Sequence, residues 1–173
     1  GIVYVTRETV PLQLDFYLPT EQQGPAPLVV WVHGGAWRSG SRKQVPVIGL
    51  LDHGFAIASL DYRLSGDAPF PAQIHDIKAA IRYLRSNAVE LGIDPDRIAI
   101  AGASAGGHLA ALAGVSQGVQ ELTGLETNSQ QSPDHVAAIV SFYGASNLET
   151  ILQQSTPHGL GVRVPALQLL LRS

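Results

Sequence analysis

Four short apolar runs, residues 28–32, 55–60, 98–101 and 136–142, constrain this chain more than any other feature. A strand covered on both faces reads as a nearly continuous stretch of Val, Ile, Leu and Ala, and such strands belong to parallel sheets. Helical periodicities lie between the runs. The clearest puts Ile74, Ile77, Ile81, Leu84, Ala88 and Leu91 on one stripe behind Pro71, stops at Gly92 and turns through Asp94-Pro95-Asp96. This alternation predicts an α/β class: a mostly parallel sheet with helices on both faces. Ahead of it, segments 2–6 and 12–18 read as a hairpin joined across Val10-Pro11, with Leu12, Leu14, Phe16 and Leu18 at alternate positions.

A length of 173 residues, 45% of them apolar and 14% charged, suits a single globular domain with its own core. No internal repeat or linker divides it. Cysteine is absent, which excludes disulfides, Cys zinc sites and thiol nucleophiles; the cytoplasm is favoured, with secretion left open. Eleven basic against fourteen acidic residues make no basic field, so nucleic acid is not expected as a partner. No apolar run approaches the ~20 residues of a membrane span. Methionine is also absent, and a chain that opens at Gly1 is expected to be a processed or trimmed product.

Chemistry concentrates in Gly102-Ala103-Ser104-Ala105-Gly106-Gly107, between the run at 98–101 and an apolar helical segment at 108–115. This is G-x-S-x-G in a strand–turn–helix setting. The glycines let a tight turn throw the Ser104 hydroxyl outward at a helix N-terminus, where developing negative charge is favoured. A phosphate loop is the weaker alternative, because the Lys of G-x-x-x-x-G-K-[ST] is lacking. His33-Gly34-Gly35-Ala36-Trp37 follows the run at 28–32, and paired glycines there can aim backbone amides at an oxyanion. Both motifs sit at carboxyl ends of strands, where open α/β sheets bind ligands.

These segments, with Asp61-Tyr62-Arg63-Leu64, Phe70-Pro71, Asp76, His108-Leu109 and Phe142-Tyr143-Gly144, resemble the α/β-hydrolase esterases of the hormone-sensitive-lipase-like and acetyl- or feruloyl-esterase-like group. The resemblance runs from about Val3 to Leu148. It implies Ser104 as nucleophile, the amides of Gly34, Gly35 and Ala105 as oxyanion hole, and Asp61 and Tyr62 as supports for the loop carrying His33. It implies no cofactor and no metal, and no His–carboxylate spacing resembles a closed metal site. The expected activity is a serine carboxylesterase acting on small-molecule short-acyl or acetyl esters. Peptidase or amidase chemistry on the same elbow stays open.

In that family the acid follows a seventh strand and the base an eighth, whereas six strands are countable here. The expectation is therefore a single α/β-hydrolase domain, 1–173, that is C-terminally incomplete. Within the chain, only Asp134 or Glu149 followed by His158 fits that order, and Glu149 is equally explained by a Ser146-x-x-Glu149 capping box on a short helix through Gln154. Asp134 precedes the sixth strand, at its opposite end. His33 is read as a loop brace, His108 as packing, and His53, His75 and His135 as surface residues. Asp76 reads as a first-turn helix-dipole residue, and Trp37 as pocket wall or packing.

The 117–134 stretch reads as a polar loop, the 156–159 segment as a loop, and 165–171 as helix. An open edge at the sixth strand needs cover from a second polypeptide, a homodimer partner or the chain's own tail. The alternative to catalysis is an incomplete hydrolase that binds a partner through that edge.

Overall fold

The computed structural model describes residues 1–124 and 133–172. Six strands form one sheet: β1 (Ile2–Arg7), β2 (Val10–Tyr17), β3 (Ala26–Val32), β4 (Ala56–Leu60), β5 (Ile93–Ala103) and β6 (Ala138–Phe142). Their order is β1-β2-β4-β3-β5-β6. The hairpin and the β2–β4 pair are antiparallel, and β4, β3, β5 and β6 run parallel. The hairpin turns at Glu8-Thr9 rather than at Val10-Pro11, with Glu8 in the left-handed region at φ 52°. Pro11 is tolerated inside β2 because it pairs only with β1 there.

Among the described residues four α-helices accompany the sheet: α1 (Ala72–Ser86), α2 (Ala88–Leu91), α3 (Ala105–Val115) and α4 (Pro157–Leu171). The stripe read from the sequence is the buried face of α1, where Ile74, Ile77, Ile81 and Leu84 are fully enclosed. It breaks at Asn87, and Gly92 closes α2 in the left-handed conformation. Because successive strand residues face opposite ways, Leu28, Val30 and Val32 of β3 pack toward the α-helices. Val29 and Trp31 pack on the other face, against Ile57, Ala101 and the segment around the 3-10 helix Ile48–His53.

The C-terminal third departs most from the sequence reading. Residues 148–154 form turns rather than a helix, and Asn147, not Ser146, caps them: its Oδ1 accepts from the amides of Glu149 (2.9 Å) and Thr150 (3.2 Å). The expected 156–159 loop is the start of α4, capped by Thr156, whose Oγ1 accepts from the Gly159 amide at 3.1 Å. Of the 117–134 stretch, residues 120–122 form a 3-10 turn and 125–132 lie outside the described residues. The tail does not cover the open edge. All five residues of β6 are exposed, while Ala166, Leu167 and Leu170 of α4 bury themselves in the main core.

Asp76 is structural, for a different reason from the helix dipole. Its carboxylate is fully buried and accepts from Arg7 Nε (2.9 Å) and from Arg63 through Nε, Nη2 and the backbone amide. One carboxylate thus ties β1, α1 and the segment after β4. Removing it leaves two arginines without their counter-charge, so Asp76→Ala should lower unfolding free energy by about 3 kcal/mol, measured by urea denaturation.

Candidate active site

β4 and β5 flank β3, so the chain must cross over β3 on its way between them, and the carboxyl ends of β3 and β5 become neighbours. The two motifs read from the sequence emerge there. Ser104 adopts φ 54° and ψ −120°, a conformation that side chains avoid, and it is exposed between buried Gly102 and Ala105. Surrounding contacts hold it in place. The Ser104 amide donates to the Phe142 carbonyl (2.9 Å), and Ser141 Oγ donates to the Gly107 carbonyl (3.0 Å), so β6 braces the elbow.

Gly106 packs backbone against backbone: a Cβ there would overlap the carbonyl oxygens of Val32 and His33. No side chain can yield, because the obstacles are main-chain atoms. Gly34 closes the same gap from the other loop, since a Cβ on it would lie 3.5 Å from Ser104 Cβ. Gly35 takes φ 115°, and its carbonyl accepts from the amides of Arg38 (3.0 Å) and Ser39 (3.1 Å). Ala36 and Trp37 follow at φ 53° and 58°, so the loop winds left-handed past the serine.

The expected supports divide their work. Tyr62 Oη donates to the His33 carbonyl (3.0 Å), its ring stacks on the His33 imidazole at 4.5 Å, and the Ser65 amide holds the Trp37 carbonyl (2.7 Å). Asp61 braces further along, where its carboxylate accepts from the Arg42 amide (2.8 Å) and guanidinium. His33 is buried, and its Nδ1 sits 2.7 Å from the Gly34 carbonyl; a carbonyl only accepts, so Nδ1 carries the proton. His108 packs edge-on against Trp37 at 5.5 Å. Of the histidines read as surface residues, His53 and His135 are exposed, while His75 is half-buried, with Nε2 2.8 Å from the Glu121 carbonyl.

Two cavities meet at Ser104. One, of about 450 Å³, runs between Trp37, Ala105, the 143–147 turn and α4. The other, of about 330 Å³, lies against Gly34, Gly35 and the 39–46 loop. Tyr143, which the sequence marked without assigning a role, lines both and is exposed. Trp37 both packs and walls the larger cavity. Glu149 and His158 are both exposed, and neither is in the lining of these two cavities. Asp134 is engaged at the far end of the sheet by Arg82 (3.2 Å) and lies 3.8 Å from Lys78. Among the described residues no group of three or more His, Cys, Asp or Glu could hold a metal.

Burial holds the pKa values of His33 and His108 below the ordinary 6.5. Hydrogen bonding to Gly34 and the charge of Asp61 oppose this at His33 without overcoming it. A histidine kept neutral in the fold binds its proton more readily when unfolded, so stability falls as pH drops through and below 6.5. Denaturation midpoints at pH 7.5 and pH 5.5 should therefore differ, the acidic one being lower by about 1 kcal/mol in free energy. Gly106→Ala should lower the midpoint further, by about 2 kcal/mol or more, and displace the elbow.

The BD-FAE family model matches residues 14–171. Esterase LipC of Mycobacterium tuberculosis is 39% identical over 144 residues, which are 81% of this chain and 34% of LipC. A bifunctional GH43-CE protein of Bacteroides eggerthii superposes with a TM-score of 0.85 at 35% identity, over 99% of this chain and 26% of that one. The esterase Est2 of Thermogutta terrifontis, solved with propionate bound, superposes with a TM-score of 0.76 at 27% identity, over 99% and 62%. The chain spans about a third of the length of its curated relative.

Proposed function

Because the chain belongs to the BD-FAE family of α/β-hydrolase esterases, we propose that it forms the nucleophile-bearing part of a serine carboxylesterase. Ser104 Oγ attacks the acyl carbonyl carbon, the alcohol leaves, and water then cleaves the acyl-enzyme. The amides of Gly34, Gly35 and Ala105 receive the oxyanion, with His33, Tyr62 and, further along, Asp61 holding the loop in position. The observation that carries this reading is the exposed, left-handed Ser104 at the junction of two cavities, with Gly34 pressed against it.

A cleft of about 450 Å³ suits a short acyl chain rather than a long lipid. The propionate bound to Est2 of Thermogutta terrifontis is of that size class.

A serine needs a base, and among the described residues the one imidazole lining either cavity is His33, a buried ring that braces the oxyanion loop through its Nδ1–H bond to the Gly34 carbonyl and its stacking on Tyr62. We assign the base and its acid to a further segment or chain seated beside β6. That edge presents Ile139, Val140 and Phe142 to solvent, about 40% exposed each. The same exposed edge favours the second reading, an incomplete hydrolase that acts through a partner docked there.

A fluorophosphonate that reacts with activated serines, applied to the protein together with the segment or chain that seats beside β6, distinguishes the two. Intact-mass analysis should show one adduct, absent in Ser104→Ala, with the label mapping to Ser104. Folded protein that stays unlabelled at neutral pH with that segment or chain in place rejects the catalytic reading and leaves the docking one.

A further inference from the structure

The larger cavity at Ser104 has an uneven wall. Trp37, Ile151, Ala166 and Leu167 make one part apolar, and among the described residues the only formally charged side chain in its lining is Arg163, on the second turn of α4. Among the described residues no carboxylate lines either cavity. On a chain whose net charge is −3, the cleft beside the serine is therefore a local positive spot.

Arg163 is not spent on a structural ion pair. Among the described residues its recorded hydrogen bond runs from Nη1 to Ser155 Oγ at 2.9 Å, a neutral acceptor whose own hydrogen goes to the Ile151 carbonyl at 2.5 Å. A guanidinium carries five N–H donors in a planar fork, so its charge and most of its donors remain available. Gly159, one helical turn earlier on the same face, makes this placement possible. A Cβ at residue 159 would sit 2.5 Å from Arg163 Nη1, and without one the guanidinium lies along the helix at the cleft rim. Five other arginines, Arg7, Arg42, Arg63, Arg82 and Arg97, each face a carboxylate, and Arg85 donates to the backbone carbonyls of Pro95, Pro133 and His135.

We propose that Arg163 is a specificity residue that recognises a free carboxylate on the ester substrate, so that the preferred substrates are esters carrying a second, ionised acid group. The proposal rests on Ser104 being the nucleophile. A fork of donors facing an anion gives a charge-assisted, bidentate contact that neither Gln154 nor Asn147, the neutral amides in the same wall, can supply. The carboxylate can belong to the acyl part, as in a monoester of a short dicarboxylic acid, or to the alcohol part, as in an ester of a hydroxy acid.

Matched ester pairs separate these sources. 4-Nitrophenyl hydrogen succinate is compared with 4-nitrophenyl butyrate for the acyl side, and 4-carboxyphenyl butyrate with phenyl butyrate for the alcohol side. The readout is kcat/KM of the charged ester divided by that of its neutral partner, in the protein and in Arg163→Gln, each with the segment or chain that seats beside β6 in place. Intrinsic differences in leaving group cancel between the two proteins. One of the two ratios should fall about tenfold in the variant, and in the unsubstituted protein it should fall with salt raised from about 0.05 M to about 0.5 M. The pair that responds identifies the side bearing the carboxylate. Ratios within about twofold of each other in both proteins and at both salt levels overturn the role of Arg163 while leaving the esterase reading intact. Absence of hydrolysis of either neutral ester, together with an unlabelled Ser104, overturns the esterase reading and this proposal with it.

Discussion

Everything at the site depends on one backbone-to-backbone approach, the first turn of α3 pressed against the carboxyl end of β3. Gly106 lies so close to the carbonyls of Val32 and His33 that no side chain fits between them. This contact joins two loops that are seventy residues apart in sequence, and it sets how near Gly34 comes to Ser104. A hydroxyl and a set of amides can cooperate on one reacting carbonyl only if their separation is fixed to a fraction of an ångström before substrate arrives. Main-chain contact achieves this better than side-chain contact, because backbone atoms have no rotamers to exchange.

A second tier of interactions keeps that contact under load. The Ser104 backbone sits in a disfavoured region of conformational space, which persists only where the surroundings over-determine it. Here Phe142, Ser141 and Gly144 close in from the end of β6, and Tyr62 and Ser65 hold the opposite loop at both of its ends. The segment carrying Tyr62 is in turn anchored through Arg63 to Asp76, buried under α1 and also bound by Arg7 of the first strand. A charge cluster remote from the serine thus shares a continuous set of contacts with the oxyanion loop. The sequence marked Asp76 as structural but could not supply the reason, since its arginine partners lie 13 and 69 residues away.

Legibility followed the range of the interactions involved. The parallel strands, the α1 stripe and the elbow were readable because each rests on local rules: continuous apolar runs, a 3.6-residue period, and glycines where a turn crowds its neighbours. The errors cluster where local signals compete. Ser146-x-x-Glu149 matched a capping box, yet Asn147 took the cap and the segment formed turns, because its side chain reached the same amides first. Thr156-Pro157-His158-Gly159 looked like a loop by composition. Thr156 as N-cap with Pro157 in the first turn is also a helix start, and packing of Ala166, Leu167 and Leu170 into the core selected that outcome.

The amino-acid sequence by itself determined which residues could carry the chemistry, because the elbow and the glycine pair are encoded in a few neighbouring positions whose steric demands nothing distant can replace. Tertiary structure alone decided what surrounds them: that α4 forms a wall of the cleft instead of covering β6, that Glu149 and His158 are exposed and line neither cavity at Ser104, and that Arg163 lines the larger cavity with no carboxylate beside it among the described residues. Those placements depend on which apolar faces bury one another across the whole chain, and burial is a property of the assembled core that no short window of residues contains.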